Sequence, residues 1–429
     1  MFRALVAIFL ATAVFAQSPK QRMVILISLD GFPAYALDDP KLPIPTLRKL
    51  AREGALAKAM TTVNPTVTWP NHTAMITGVE PAKHGVLANG SIVRTNAQPP
   101  IKVEPWIEKD KMVHVPTVYD AVHKAGLTTA QVDWVAIHKA PTITFPFPEV
   151  PDPQGKIEKE MIAAGLVKTE DVQQFSKGNI LWRDQIWTDA GVHIIRSHKP
   201  NLMLFHLLSL DSGHHSYGPR TLAGQTAIAF LDQCVARLVD AIRAAGYEKR
   251  ATILIASDHG FKAYTKTIQG NAMLAAAGLD QKAYVLPEGG SALVYVHNAG
   301  DIPAVRKVFE GAEGVAEIIT PQQYAKYGLP DPANNPQMSQ LFLAAKAGYS
   351  FSGGTNGGAV VSRPSQGGAH GYVSTDPDLD AIFLAWGYGI KPGATTPRVR
   401  NIDIAPTIAK LLGVKFEGAD GRVLEEILR

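Results

Sequence analysis

Four short, almost uninterrupted apolar runs limit what this chain can fold into: Met23–Leu29 (MVILISL), 202–208 (LMLFHLL), Ala251–Ala256 (ATILIA) and 381–386 (AIFLAW). A strand with one wet face alternates apolar and polar residues. Continuous runs of this length instead predict strands of a sheet covered on both faces. Helical periodicity marks 46–53, 117–125, 221–245 and 403–412, each followed by a glycine (Gly54, Gly126, Gly246, Gly413) where a left-handed cap residue is favoured. Strands alternating with helices predict an α/β fold, a three-layer α/β/α sandwich around a mostly parallel sheet.

The chain has 429 residues, 46% of them hydrophobic, enough for a large core. Two stretches break the pattern: Pro-rich 86–158, and 262–365 with its FSGGTNGG segment. Both are expected to be insertions folding over the site of one catalytic domain spanning 17–429. With 42 basic against 38 acidic residues, a net charge of +4 and no charge runs, the chain lacks the footprint of a protein that binds a nucleic-acid polymer. The N-terminus, MFRALVAIFLATAVFAQ, has a positive Arg3, an apolar run from Leu5 to Phe15, and small Val14 and Ala16. That is the form of a signal peptide over 1–16, with an uncleaved anchor as the alternative. No later stretch is long and apolar enough to predict a transmembrane helix. Cys234 is the only cysteine, which rules out an intrachain disulfide and suits a periplasmic or secreted bacterial protein. Its helical surroundings, FLDQCVARLVDAI, make it a small core residue.

Polar residues gather where the runs end. Asp30 closes the first (ISLDGF), Asp211 and His215 follow the second (LSLDSGHHSYGP), Asp258 and His259 follow the third (IASDHGF), and His370 (GGAHGY) precedes the fourth. Ligands of open α/β sheets bind beyond the carboxyl ends of the strands, so these six side chains are expected to converge. Three carboxylates packed together resist ionising unless bound cations become the dominant local charge. A mixed Asp/His set suits zinc, and six donors divide into two sets of three, each with an open position as in catalytic sites. The same donors would tolerate Mn²⁺ or Fe²⁺. Two such ions can stabilise both the entering and the leaving oxygen of an in-line displacement. A nucleophile is offered by NPTVTWPNHTAMITG, where Thr66 and Thr68 precede Pro70 at the start of a helical pattern ending at Gly78. A helix N-terminus attracts an anion. Local pattern does not choose between the two threonines.

Taken together, TWPNHTAMITG, DSGHHSYGP, SDHGF and AHGY resemble the type I phosphodiesterase/nucleotide pyrophosphatase branch of the alkaline phosphatase superfamily, from Asp30 to about Gly413. The resemblance implies an exported phosphodiesterase with Thr68 as nucleophile, a covalent phosphothreonine, and two Zn²⁺ per chain. It puts Asp30, Thr68, Asp258 and His259 on one zinc, and Asp211, His215 and His370 on the other. It also puts Asn89 (HGVLANG) against a non-bridging phosphate oxygen. Val67 and Trp69 flank Thr68 where nucleotide-cleaving members usually carry Lys and Phe. Trp69 reads either as a platform for a flat leaving group or as a core indole. Phe145 and Phe147 read as pocket lining or packed core, His214 as a partner of a liganding carboxylate or a solvent-facing residue, and His72 and His84 as structural. The expected partner is a small-molecule phosphate ester. A phosphomonoesterase is the nearest rival and would want a basic pair, with Lys262 the closest cation to a motif. A metal-binding protein without catalysis is more distant, since it has no use for Thr68.

Overall fold

A computed structural model describes residues 18–429; the segment read as a signal peptide lies outside them. Met23–Leu29 runs along the middle of the large sheet, parallel to Leu202–Leu207 on one side and Ala251–Ala256 on the other. All seven of its residues are buried. Alternation explains how: Met23, Ile25, Ile27 and Leu29 pack with Leu47 and Leu50 of helix Pro45–Glu53, Trp187 and Ile194 of Ile180–Ser197, and Leu231 and Leu238 of Leu222–Ala244. Val24 and Leu26 point the other way, onto Met75 and Ile76 of Thr68–Thr77, Val122 of Val118–Lys124, and Ile408 and Leu412 of Ile404–Leu412. Helices cover both faces, giving the three-layer α/β/α sandwich. Each apolar side chain removed from water contributes about 1.5–3 kcal/mol, so a polar residue in these runs needs a specific partner.

From edge to edge the strands run Ala394–Thr396, Ala55–Thr61, Ala381–Gly387, Ala251–Ala256, Met23–Leu29, Leu202–Leu207, Thr129–Val132 and Phe145–Phe147. Ala381–Gly387 is antiparallel to both neighbours, Ala251–Ala256 and Ala55–Thr61. Thr129–Val132 and Phe145–Phe147 pair into this sheet, so part of 86–158 belongs to it instead of lying over it as an insertion. Gly126, Gly246 and Gly413 take the expected left-handed conformation, with φ of 72°, 74° and 69°. Gly54 does not: its φ is −123°, and a Cβ there would meet the Ala385 carbonyl oxygen at 2.0 Å. Close backbone approach, not handedness, requires that glycine.

The chain between Lys262 and Ala369 forms two smaller sheets. One is antiparallel, in the order Ala283–Glu288, Ser291–Val296, Leu341–Ala345, Val315–Ile319; the other places Lys262–Ile268 between Gly348–Phe351 and Val360–Ala369. The first and last strands of the segment pair antiparallel, Lys262 opposite Ala369. That pairing returns the chain to its starting point and sets His370 beside His259, their rings stacked 3.8 Å apart. No helix among the described residues is long and apolar enough to cross a membrane.

Candidate metal centre

Asp30 leaves the carboxyl end of the central strand fully buried. The tight turn after it needs Gly31, whose φ is 67° and where a Cβ would meet the Phe261 ring at 2.8 Å. This turn aims the Gly31 N–H at Asp258 Oδ1, 3.1 Å away. Asp258 Oδ2 is left 3.1 Å from His259 Nε2, which lies 3.4 Å from Asp30 Oδ1. Asp30, Asp258 and His259 thus form one three-donor cluster. Asp211 and His215 sit one turn apart on helix Ser209–Tyr217, with His215 Nε2 3.3 Å from Asp211 Oδ1. His370 Nε2 is 3.8 Å from the same oxygen, completing a second cluster. The six predicted ligands therefore meet as two sets of three.

The three histidines of the clusters are set up alike at Nδ1. Nδ1 of His215 faces the Gly368 carbonyl at 3.2 Å, that of His259 the Gly260 carbonyl at 3.1 Å, and that of His370 the Thr66 carbonyl at 3.1 Å. A carbonyl only accepts, so each Nδ1 carries a proton and each Nε2 faces the cluster. Burial pushes His259 down to about 4 and His370 well below its ordinary value, which keeps both rings neutral. Burial, then Asp258 and Asp211, push the Asp30 carboxyl well up. Asp30 Oδ1, Asp258 Oδ2, Asp211 Oδ1 and His259 Nε2 are buried without any hydrogen-bond partner. Orphaned buried atoms of this kind are costly unless something electropositive lies between them. The donor set therefore fits metal ions.

Three residues that the sequence reading did not single out hold this geometry. His206, inside strand Leu202–Leu207, puts Nε2 2.9 Å from Asp30 Oδ2 and Nδ1 3.0 Å from the Asp133 carbonyl oxygen. The Asp133 carboxylate lies 3.3 Å from the same nitrogen. Asp184 accepts from the Leu208 and Ser209 N–H groups at 3.0 and 2.9 Å, fixing the start of the helix that carries Asp211 and His215. The signal for His206 was available: a histidine in an otherwise apolar, fully buried run must have partners. Asp133 and Asp184 left no such mark.

Thr68 opens helix Thr68–Thr77. His72, one turn on, donates from Nδ1 to the Thr68 carbonyl at 2.9 Å, and the same nitrogen lies 3.8 Å from Asp258 Oδ2. Two residues earlier, Thr66 touches His370. Thr68 is thus bracketed by contacts to both clusters. The two threonines differ in availability: the Thr66 hydroxyl donates to the Tyr372 carbonyl at 2.7 Å, whereas the Thr68 hydroxyl makes no hydrogen bond among the described residues. Asn89 Oδ1 accepts from the Trp69 N–H at 3.0 Å, which orients the amide and leaves its Nδ2 protons free. Trp69 is largely buried yet borders a cavity of about 860 Å³, also lined by Trp106, Trp134, Ile137, Pro146 and Pro148. Phe145 and Phe147 turn into the core, and Pro146 between them faces the cavity instead, as strand alternation requires. His214 is neither solvent-facing nor bonded to a carboxylate: it is buried, with Nδ1 3.2 Å from the Gly31 carbonyl oxygen. His72 and His84 are both buried, and His84 Nδ1 accepts from the Val86 N–H at 3.2 Å. Lys262 is bound to Asp376 at 2.5 Å, with Asp378 3.8 Å away. Cys234 is buried.

Two clusters of Asp and His, one of them fully buried, at the carboxyl end of a mostly parallel sheet and beside an unpartnered hydroxyl, define the class of metal-dependent ester hydrolases. Residues 24–373 match the family model described as type I phosphodiesterase / nucleotide pyrophosphatase, and the chain belongs to that family of hydrolases. It is similar to ectonucleotide pyrophosphatase/phosphodiesterase family member 7 of Rattus norvegicus, with 23% identity over 96% of this chain and 89% of the relative. It is also similar to the venom phosphodiesterase of Macrovipera lebetinus, with 23% identity over 94% of this chain and 44% of that protein. Among solved structures, murine ectonucleotide pyrophosphatase/phosphodiesterase 5 superposes with a TM-score of 0.73 at 18% identity, covering 95% of this chain and all of the other. An inactive variant of that murine protein, in complex with AMP, gives 0.74 at 17% identity over the same shares of the two chains.

Proposed function

We propose that the chain is an exported phosphodiesterase that cleaves small phosphodiesters through a covalent intermediate on Thr68. Two zinc ions would be held by Asp30, Thr68, Asp258 and His259, and by Asp211, His215 and His370. The observation that carries this reading is the set of orphaned, inward-facing donors in the two clusters, next to a free hydroxyl at a helix N-terminus. Zinc on such donors supplies Lewis acidity, making a hydroxyl and a water acidic enough to react near neutral pH. Thr68 Oγ gives up its proton and attacks phosphorus, and the bond to the leaving alcohol breaks as the new ester forms. Water then cleaves the phosphothreonine from the opposite side, releasing a phosphomonoester and restoring Thr68. Splitting one displacement into two lowers each barrier. Asn89, oriented by the Trp69 N–H, donates from Nδ2 to a non-bridging oxygen where charge develops.

The cavity edged by Trp69 takes the organic part of the substrate, a nucleoside or aryl group with a face to lie against indole. The AMP bound by the murine relative supports the nucleotide choice. A phosphomonoester would bring an extra negative charge, and the nearest candidate cation, Lys262, is already spent on Asp376 and Asp378. Export rests on the charged, apolar and small-residue pattern of 1–16. Parallel rates on an aryl phosphate and an aryl nucleoside phosphodiester test the reading. The diester is expected to be cleaved at least about 10²-fold faster in kcat/KM, equivalent to about 2.7 kcal/mol of transition-state binding. Faster cleavage of the monoester would replace this reading with a phosphatase.

A further inference from the structure

A third group of metal-type donors stands away from the catalytic clusters. Glu160, on helix Lys156–Ala163, places Oε2 2.9 Å from His193 Nε2 and 2.6 Å from His198 Nε2. His193 lies near the carboxyl end of helix Ile180–Ser197, and His198 is the residue that closes it. Asp184 on the same helix reaches the catalytic side, and His198 lies about 20 Å along the axis from it at 1.5 Å per residue. We propose that Glu160, His193 and His198 form a separate site for a divalent transition-metal ion, with zinc as the natural occupant.

The chemistry of the donors supports this. Two imidazoles and one carboxylate are the donor set of open zinc sites. All three donor atoms lie within 4.8 Å of one another. Around a tetrahedral zinc with bonds of about 2.0–2.1 Å, ligand atoms stand about 3.3 Å apart, so the two histidines need to draw back from Glu160 by only about 0.4 and 0.7 Å. Neither ring has a protein partner at Nδ1, so each is free to carry its proton there and turn the Nε2 lone pair inward. The rings are held in place: both imidazole side chains are mostly buried, at 13% and 16% exposure, and His198 stacks on Phe145 with ring centres 4.2 Å apart. Glu160 is more open, leaving a side for a water ligand. The carboxyl end of an 18-residue helix adds the negative end of its dipole, which favours a cation. An ion there would tie helix Lys156–Ala163 to helix Ile180–Ser197.

Zinc content decides the matter, read as a difference between proteins so that the count does not depend on how many ions the catalytic clusters hold. Purified protein is stripped with chelator, titrated with zinc alone, and compared with His193→Ala/His198→Ala and with Glu160→Gln, which keeps the hydrogen bonds but not the charge. Wild type is expected to bind one equivalent more than the double variant, with diester turnover the same in both. Glu160→Gln should weaken that extra equivalent at least tenfold. An anomalous map at the zinc edge of the zinc-loaded protein should show a peak among the three side chains. Equal zinc content in all three proteins, or no peak there when the catalytic clusters are full, overturns the proposal and leaves a carboxylate hydrogen-bonded to two imidazoles.

Discussion

Two of the candidate ligand histidines, His259 and His370, differ from His206 by a single proton. In His259 and His370, Nδ1 faces a carbonyl, Nε2 faces the cluster and burial lowers both pKa values, which leaves a neutral ring with a lone pair to give. In His206 both nitrogens face acceptors, Asp30 Oδ2 and the Asp133 carbonyl, so both carry protons. Burial would lower its pKa, but its bonding to the Asp133 and Asp30 carboxylates prevails and raises it well above the ordinary value. The buried ring holds one oxygen of Asp30 and leaves the other facing His259. Outer partners of this kind typically matter 10–100-fold for metal affinity or activity. His206→Asn is therefore expected to weaken the more tightly coupled metal about 10- to 100-fold, read by chelator competition, with a matching fall in turnover at limiting metal. Asp133→Asn should do less, because the backbone carbonyl that accepts from Nδ1 remains. Unchanged metal affinity in the His206 variant would reduce that residue to packing.

At the scale of elements, the sequence carried period and burial but not direction. The run 381–386 is as apolar as its neighbours, and nothing in that composition says that Ala381–Gly387 runs antiparallel to them. Ala55–Thr61 went unseen because it lies near an edge and exposes Lys58, and Thr129–Val132 because four residues are too few for a pattern. Helix ends were legible through their caps. Thr117 and Asp120 form a capping box at Val118–Lys124. Asp120 also accepts from Lys109 Nζ at 2.6 Å and from the Thr142 hydroxyl at 2.5 Å. Burial alone would raise the Asp120 carboxyl, but the hydrogen bonds from Lys109, Thr142 and Thr117 prevail and hold it below its ordinary value of 3.8. A carboxylate depressed in the folded state stabilises fully above its unfolded pKa and loses that contribution as pH falls through the folded one. Asp120→Ala should cost about 2 kcal/mol at pH 7, from a lost cap and a buried ammonium deprived of one partner. It stays below the roughly 3–5 kcal/mol of a fully orphaned charge because Asp110 remains 3.1 Å from Lys109. In urea unfolding of metal-free protein, the gap between wild type and variant should be equal at pH 7 and pH 5 and narrow below about pH 4. A gap that widens in acid would contradict the assignment.

On the scale of the whole molecule, the site is a product of topology. Parallel pairing of Met23–Leu29 with its two neighbours delivers Asp30, Asp211 and Asp258 to one rim, and the paired ends of the 262–369 segment return His370 to His259. The six donors were legible because each follows or precedes an apolar run, and such positions share an edge once the runs become strands. The supports were not legible, since the four-residue strand that delivers Asp133 to the same rim is too short to show a pattern, and Asp184 becomes a neighbour of the site only through packing of its helix on the sheet. The central claim is that these two clusters and Thr68 act as one phosphoester-cleaving centre. Turnover of an aryl phosphodiester by Thr68→Ala, measured on protein whose metal content is determined in the same sample, tests it most directly. The expected result is wild-type metal content with turnover reduced at least about 10³-fold. Turnover within a few-fold of wild type at full metal content would contradict the account.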